Sequence, residues 1–387
     1  MLGTSGITPR ANCYAQILMA HIATTAGPDF KFFSGKPFIP RQMEVHLPND
    51  RGVACNLACT HCQGKYLKLD VASKINYDAK LMDIIKMLGG KIPLFVISGA
   101  YTEPTLSSNL ESILETIKTS GANFGLHTNG VLLPRMERNS HFLQKLFDMA
   151  TEEDYVTLSL DAGDRNSYNA TKGVSGNYFD RLLEALKIIY AHRKGSSSPL
   201  SIRVTYLLNE HNSSLSQLAY VKQLMTDLGV DSLRFSIPYA YYGASILECL
   251  EYRILFERPF YEQVWPNLSS LLSTSREEKP LIFALPPDTQ DIGMLFSFNT
   301  CFIGYFSMTL GADGHFYRCS SSAFPSFPGL RLGKLDDALN NIEQVFLANQ
   351  SLSFDPLQSC FPHGARCNRV AMDINDALKD RPECHGR

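Results

Sequence analysis

Three cysteines stand close together in Cys55-Asn56-Leu57-Ala58-Cys59-Thr60-His61-Cys62, spaced by three and then two residues. Thiolates at that spacing on one loop can surround a single metal centre. Their number is informative: a structural zinc or iron–sulfur site takes four protein ligands, whereas three leave a coordination position open for a substrate or cofactor. A zinc knuckle that borrows a further ligand such as His61 is the rival use of the same residues. Cys301, Cys319, Cys360, Cys367 and Cys384 gather in the C-terminal part, while Cys13 and Cys249 stand apart and read as buried free thiols.

The elements that must position the first loop are legible around it. From Met43 to about Ile237 short β-like runs alternate with amphipathic helical stretches, the pattern of repeated βα units. Six strands are expected, at Met43–Leu47, Leu94–Ser98, Phe124–His127, Tyr155–Asp161, Ser201–Leu208 and Ser232–Ile237. Helices between them include Lys80–Leu88, Leu106–Thr119 and Leu215–Leu228, from apolar residues recurring at three and four. Successive strand side chains point to opposite faces. Val156, Leu158 and Leu160 therefore separate from Thr157, Ser159 and Asp161, and Ile202 and Val204 from Arg203 and Thr205. Met43, Val45 and Leu47 separate likewise from Glu44 and His46. A parallel sheet covered on both faces reads as continuous apolar runs, and most of these strands do not. A curved sheet with helices outside and a polar, ligand-holding lumen inside accounts for the alternation, which makes the fold α/β, a partial barrel. The cysteine loop directly follows the first strand of that barrel.

The CxxxCxxC segment after a first barrel strand resembles the signature of the radical S-adenosylmethionine superfamily. The resemblance implies a partial (βα)6 TIM-like barrel in which Cys55, Cys59 and Cys62 hold a [4Fe–4S] cluster. S-adenosyl-L-methionine would chelate the fourth iron and be cleaved reductively to a 5′-deoxyadenosyl radical that abstracts hydrogen from a substrate. His61 stands where members usually carry an aromatic beside the adenine. Ser98-Gly99-Ala100-Tyr101-Thr102-Glu103 is similar to the family's glycine-glycine-glutamate region at the methionine amino group, with an inserted stretch between Gly99 and Glu103. Thr128-Asn129-Gly130 resembles a recurrent family turn, and Ser159 and Asp161 a run that meets ribose or substrate. Arg203 is matched to the methionine carboxylate, a planar bidentate partner. Thr105 also reads as an ordinary helix N-cap. Asp161, Glu44 and His46 are the candidates for a general base in the lumen.

The stretch from Cys301 through Gly314 to Cys319, followed by Gly333-Lys334-Leu335, resembles the SPASM auxiliary-cluster extension or its shortened twitch form. The likeness implies a second, auxiliary [4Fe–4S] cluster in a smaller C-terminal α+β domain. Cys301 and Cys319 flank one hairpin, Cys360 and Cys367 complete the set, and Cys384 is the replacement for either. The expected organisation is an extension at 1–41, the barrel at 42–242, a helical connector at 243–298 and the auxiliary domain at 299–387. The resemblance points to radical modification of a peptide or protein side chain, with a small-metabolite dehydrogenase or epimerase as the alternative. A metal-binding scaffold or electron carrier is the reading of another class. An external donor such as flavodoxin or ferredoxin would supply the electron.

Composition agrees with a globular enzyme: 387 residues, 44% apolar and 19% charged, with a formal net charge of -2. Lysine and arginine form no stripe, so no nucleic acid partner is expected. The apolar stretch Tyr14–Ala23 contains His21 and makes a poor signal peptide, and no run reaches a membrane span. A cytoplasmic location follows as the expectation, where reduced thiols favour metal binding over a disulfide frame.

Overall fold

The computed structural model describes residues 13–49, 55–62, 77–99, 101–237, 251, 253–272, 278–284, 300–323, 330–351 and 369–378. Strands β1 (Gln42–His46), β2 (Leu94–Ser98), β3 (Asn123–Thr128), β4 (Tyr155–Ser159), β5 (Ser201–Leu207) and β6 (Ser232–Ser236) lie within two residues of the ends that alternation assigns them. All five neighbouring pairs are parallel. Helices α2 (Tyr77–Leu88), α3 (Leu110–Thr119), α4 (Leu133–Ser140), α5 (Phe142–Met149), α6 (Arg165–Lys172), α7 (Tyr178–Gly195) and α8 (Leu215–Asp227) fill the crossovers.

The sheet is larger than six strands. β7 (Leu281–Phe283) adds in parallel to β6, and β8 (Ser307–Leu310) adds in parallel to β1. Eight parallel strands thus run in the order β8-β1-β2-β3-β4-β5-β6-β7, an open barrel whose end strands do not pair among the described residues. β7 is three residues long, too short for a period to show, and it falls where the helical connector is expected. The connector does supply a helix, Arg258–Ser269. β8 also pairs antiparallel with β9 (His315–Tyr317), and β10 (Arg331–Lys334) follows, so the C-terminal hairpin continues the barrel sheet. Met308 and Leu310 point outward into the barrel core beneath the helix Leu335–Asn349, which joins the two parts in one hydrophobic layer.

Sidedness is that of the sequence pattern. Val156, Leu158, Ile202, Val204, Leu233 and Phe235 are 2% exposed or less and pack against the helices. At about 1.5–3 kcal/mol for each fully buried large apolar side chain, this outer layer dominates the barrel's stability. On β5 Ser201, Arg203, Thr205 and Leu207 alternate with the buried set and remain partly accessible from the lumen. Leu94, Val96 and Tyr155 form their own small cluster at the N-terminal ends of β2 and β4, opposite the end from which the cysteine loop leaves.

A second core lies around the segment 301–306. There α1 (Cys13–Thr25) and the helix Arg369–Leu378 pack with Phe32, Phe38, Phe302, Tyr305 and Phe306. α1 shows no period in sequence because nearly every residue from Tyr14 to Ile22 is apolar, so its buried face (Ala15, Leu18, His21, Ile22) has little polar contrast. Among the described residues no helix is long and apolar enough to cross a membrane.

Candidate active site

The cysteine loop is held by the end of a helix. Ala58 N–H donates to the Lys172 carbonyl at 3.0 Å, and Thr60 donates its N–H (3.1 Å) and Oγ1 (3.3 Å) to the Thr171 carbonyl. Those are last-turn carbonyls of α6, which have no partner inside the helix. Gly173 then caps α6 in the left-handed region, φ +61°. A Cβ at Gly173 would lie 2.2 Å from the Ala58 carbonyl oxygen, so only glycine permits both the cap and the approach of the loop. Within the loop Cys62 N–H donates to the Cys59 carbonyl at 3.0 Å.

Lys172 turns inward and forms a buried ion pair with Asp161. Asp161 also accepts the Leu207 N–H at 2.6 Å, and its carbonyl accepts Asn212 Nδ2 at 2.9 Å. Alternation puts Asp161 in the lumen as a base candidate. In the structure β4 ends at Ser159, and φ +50° at Asp161 breaks the alternation, so the carboxylate is spent on Lys172 and on β5. Burial pushes the Cys55 thiol up to about 12, with Glu103 adding. Burial also raises Cys59, opposed by the positive charge of Lys172. Ligation to a metal deprotonates such thiols outright.

Glu103 organises the neighbouring strand ends. Its carboxylate accepts Thr105 N–H (3.1 Å), Thr105 Oγ1 (2.6 Å), Thr128 Oγ1 (2.5 Å) and Asn129 N–H (2.9 Å), and it is 3% exposed. Three of these donors share Oε1 and only the Asn129 N–H reaches Oε2, so Oε2 keeps an acceptor position for a ligand's amino group, the contact the sequence assigns to it. The cap at the following 3-10 turn is Glu103, not Thr105. Asn129 carries the brace onward, donating to Asn56 Oδ1 at 2.8 Å and lying 3.7 Å from Cys55 Sγ. At Gly99 a Cβ would meet the Thr102 carbonyl oxygen at 2.0 Å, so the turn after β2 closes only on glycine.

The lumen wall carries two polar groups. On the β1–β2 side Glu44 Oε1 accepts Ser98 Oγ at 2.6 Å and lies 3.0 Å from His46 Nε2. Burial favours the neutral acid, yet the hydrogen bonds and charge of His46, Ser98 and His127 hold Glu44 below its usual carboxylate value. Across the lumen, Arg203 stacks on the Tyr155 ring at 3.8 Å from its centroid, and the Tyr155 hydroxyl lies 3.3 Å from His127 Nε2. Burial outweighs the pull of Glu44 and, with Arg234, Arg203 and His46 adding, lowers His127 to about 4. Burial raises Tyr155 to about 12. The imidazole and the phenol are both neutral near pH 7. Ser159 stands on the same lumen face, partly exposed and paired in register with Thr205. Tyr155, His127, Arg234 and Lys172 are the members that the sequence reading leaves without a role. Arg234 and His127 are signalled there only by their strand positions.

Cys301 and Cys319 come together beside the second core. Cys301 is buried and receives a contact from Asn375 Nδ2 at 3.6 Å, while Asn375 Oδ1 accepts the Phe302 N–H at 2.7 Å. Burial and the neighbouring Cys301 raise the Cys319 thiol. Cys360, Cys367 and Cys384 lie outside the described residues.

The donor set at the first loop fits an iron–sulfur cluster with one open iron: three free thiols, half-buried, on a clamped loop at the mouth of a polar lumen. Polar atoms around the loop also wait for partners, since His46 Nδ1, Asn56 Nδ2 and Thr102 Oγ1 are buried without one. Among the described residues no three cysteine, histidine or acidic side chains are gathered closely enough to hold a single metal ion.

Comparison with known proteins agrees with this geometry. Residues 51–219 match the family model described as the Radical SAM superfamily. Among solved structures, Streptococcus suis SuiB bound to S-adenosylmethionine superposes with a TM-score of 0.54 at 15% identity, covering 84% of this chain and 69% of that one. Native anSMEcpe with bound AdoMet gives a TM-score of 0.51 at 17% identity, covering 86% and 88%. At these identities the likeness is one of fold. The search of curated proteins found no match.

Proposed function

We propose that the chain, whose residues 51–219 match the Radical SAM superfamily model, is a radical-generating enzyme acting on a peptide or protein side chain. The observation that carries it is the cysteine loop, clamped by Thr171, Lys172 and Gly173 at the mouth of the polar lumen. Cys55, Cys59 and Cys62 would hold the [4Fe–4S] cluster. When bound, cluster and cofactor supply reductive cleavage of S-adenosylmethionine to a hydrogen-abstracting radical, chemistry that belongs to the cofactor.

The chain's own residues position and exclude. His61, Ser98, Gly99, Glu103, Asn129 and Ser159 would surround the cofactor, with the Glu103 carboxylate also bracing Thr128 and Asn129. Arg203, on leaving the Tyr155 ring on which it rests, would offer its guanidinium to the methionine carboxylate. Glu44, held ionised by Ser98 and His46, is the proposed proton acceptor on the lumen wall. The Leu94, Val96 and Tyr155 cluster lines the far end with apolar side chains. Cys301 and Cys319, completed by two of Cys360, Cys367 and Cys384, would bind an auxiliary [4Fe–4S] cluster. A flavodoxin or ferredoxin in the cytoplasm would donate the electron.

A small metabolite is the second reading, favoured by the polar lumen wall, which suits a substrate lodged inside. Anaerobic reconstitution tests the cofactor assignment. About eight irons per chain and a reduced-cluster EPR signal that shifts on adding S-adenosylmethionine are expected. Zinc in place of iron, or a signal that persists in C55A, overturns it.

A further inference from the structure

Two guanidiniums face the lumen, and the described residues offer neither of them a carboxylate. Arg203 lies on β5, stacked on Tyr155 with its Nε donating to Ser201 Oγ at 3.3 Å. Arg234 lies on β6 between the outward-packed Leu233 and Phe235, so its side chain is on the inner face, where it is exposed. Its charge is felt there by both His127 and Tyr155, which fixes its direction independently of the strand pattern. The carboxylate on the facing wall, Glu44, is already engaged by Ser98 and His46, and Asp161 is engaged by Lys172. A partly enclosed wall with two unpaired cations concentrates anions, and a guanidinium matches a carboxylate with two parallel hydrogen bonds. One bound S-adenosylmethionine carries a single carboxylate, which Arg203 is proposed to meet. Arg234 is left over.

We propose that Arg234 anchors a carboxylate of the substrate on the β5–β6 side of the lumen, so that the enzyme selects an acidic substrate, in peptide form an aspartate or glutamate side chain. This rests on the lumen being the substrate site of the radical enzyme proposed above. The Tyr155–His127 pair, neutral beside it, supplies hydrogen-bonding groups without adding a competing charge.

Two binding measurements on the reconstituted protein separate this proposal from that reading. The first titrates N-acetyl-Gly-Glu-Gly-amide and its Gln counterpart, followed by saturation-transfer NMR. The Glu peptide is expected to bind at least about tenfold more tightly than the Gln peptide, as loss of a bidentate charged contact implies, and R234Q to erase the difference while R234K retains part of it. The second measures S-adenosylmethionine affinity, expected to weaken in R203Q and to stay within about twofold in R234Q. Equal binding of the two peptides, no binding of either up to about 20 mM, or a preference that survives R234Q overturns the proposal. So does a loss of S-adenosylmethionine affinity in R234Q as large as in R203Q, because the anion at Arg234 would then be the cofactor's own. Failure of the wild-type protein to bind S-adenosylmethionine counts against the radical reading instead, and the peptide measurement stands apart from it.

Discussion

Replacing Gly173 by alanine tests the clamp on the cysteine loop. Two costs add at that position. Its φ of +61° lies in the left-handed region, which costs an L-residue roughly 1–2 kcal/mol. The new methyl would also lie 2.2 Å from the Ala58 carbonyl oxygen, where ordinary contact begins near 3.4 Å. The loop or the helix end must therefore retreat by about 1 Å, at an overpacking cost of about 1–3 kcal/mol. Retreat stretches the Ala58 and Thr60 hydrogen bonds to α6, each contributing about 1 kcal/mol. The total is about 3–6 kcal/mol. Gly229 provides the control, having the same φ of +61° but only an ordinary contact with the Tyr190 ring at 3.6 Å. Gly229→Ala should cost only the backbone share, about 1–2 kcal/mol. Urea unfolding of the two variants, with iron uptake of each on reconstitution, gives the comparison. G173A should be the less stable by about 2–4 kcal/mol and should take up less iron than G229A. Equal midpoints with equal iron would refute the clamp.

Other perturbations read other parts of the site. Lys172→Met strands the buried Asp161 carboxylate and should destabilise the chain by about 3–5 kcal/mol, and K172M/D161N should recover part of that loss in the same urea titration. His127 has a folded value of about 4 against an ordinary 6.5, so the folded chain binds less proton there than the unfolded chain. The stability this contributes is present above pH 6.5 and is lost as pH falls toward 4, by about 2–3 kcal/mol. In H127Q the urea midpoint should vary less across that window, and an unchanged slope would count against the neutral imidazole. Cys301→Ala should lower iron while the S-adenosylmethionine-responsive signal of the first cluster persists, and unchanged iron would remove Cys301 from the auxiliary set.

The outline of the site is readable in the sequence because two of its features are local. Cys55, Cys59 and Cys62 are close along the chain, and the lumen face of β5 declares itself in the alternation of Ile202 and Val204 with Arg203 and Thr205. What supports them is not local. Glu103 draws its four donors from Thr105, Thr128 and Asn129, on two different strand ends. Lys172 reads as an ordinary basic residue in a helix's last turn, yet it points inward to Asp161. The left-handed backbone at Asp161, which ends the alternation of β4, has no sequence signal of its own. β7 is too short for periodicity, and α1 too uniformly apolar. The parallel pairing of β8 with β1 depends on a partner more than 250 residues away, through Gln42 and Ser307.

The most direct test is turnover without any added substrate. Anaerobically reconstituted protein, reduced and supplied with S-adenosylmethionine, should release 5′-deoxyadenosine and methionine in equal amounts, and the C55A/C59A/C62A variant should release neither. A wild-type protein that binds iron yet forms no 5′-deoxyadenosine, or a triple variant that still forms it, would contradict the assignment of the cysteine loop.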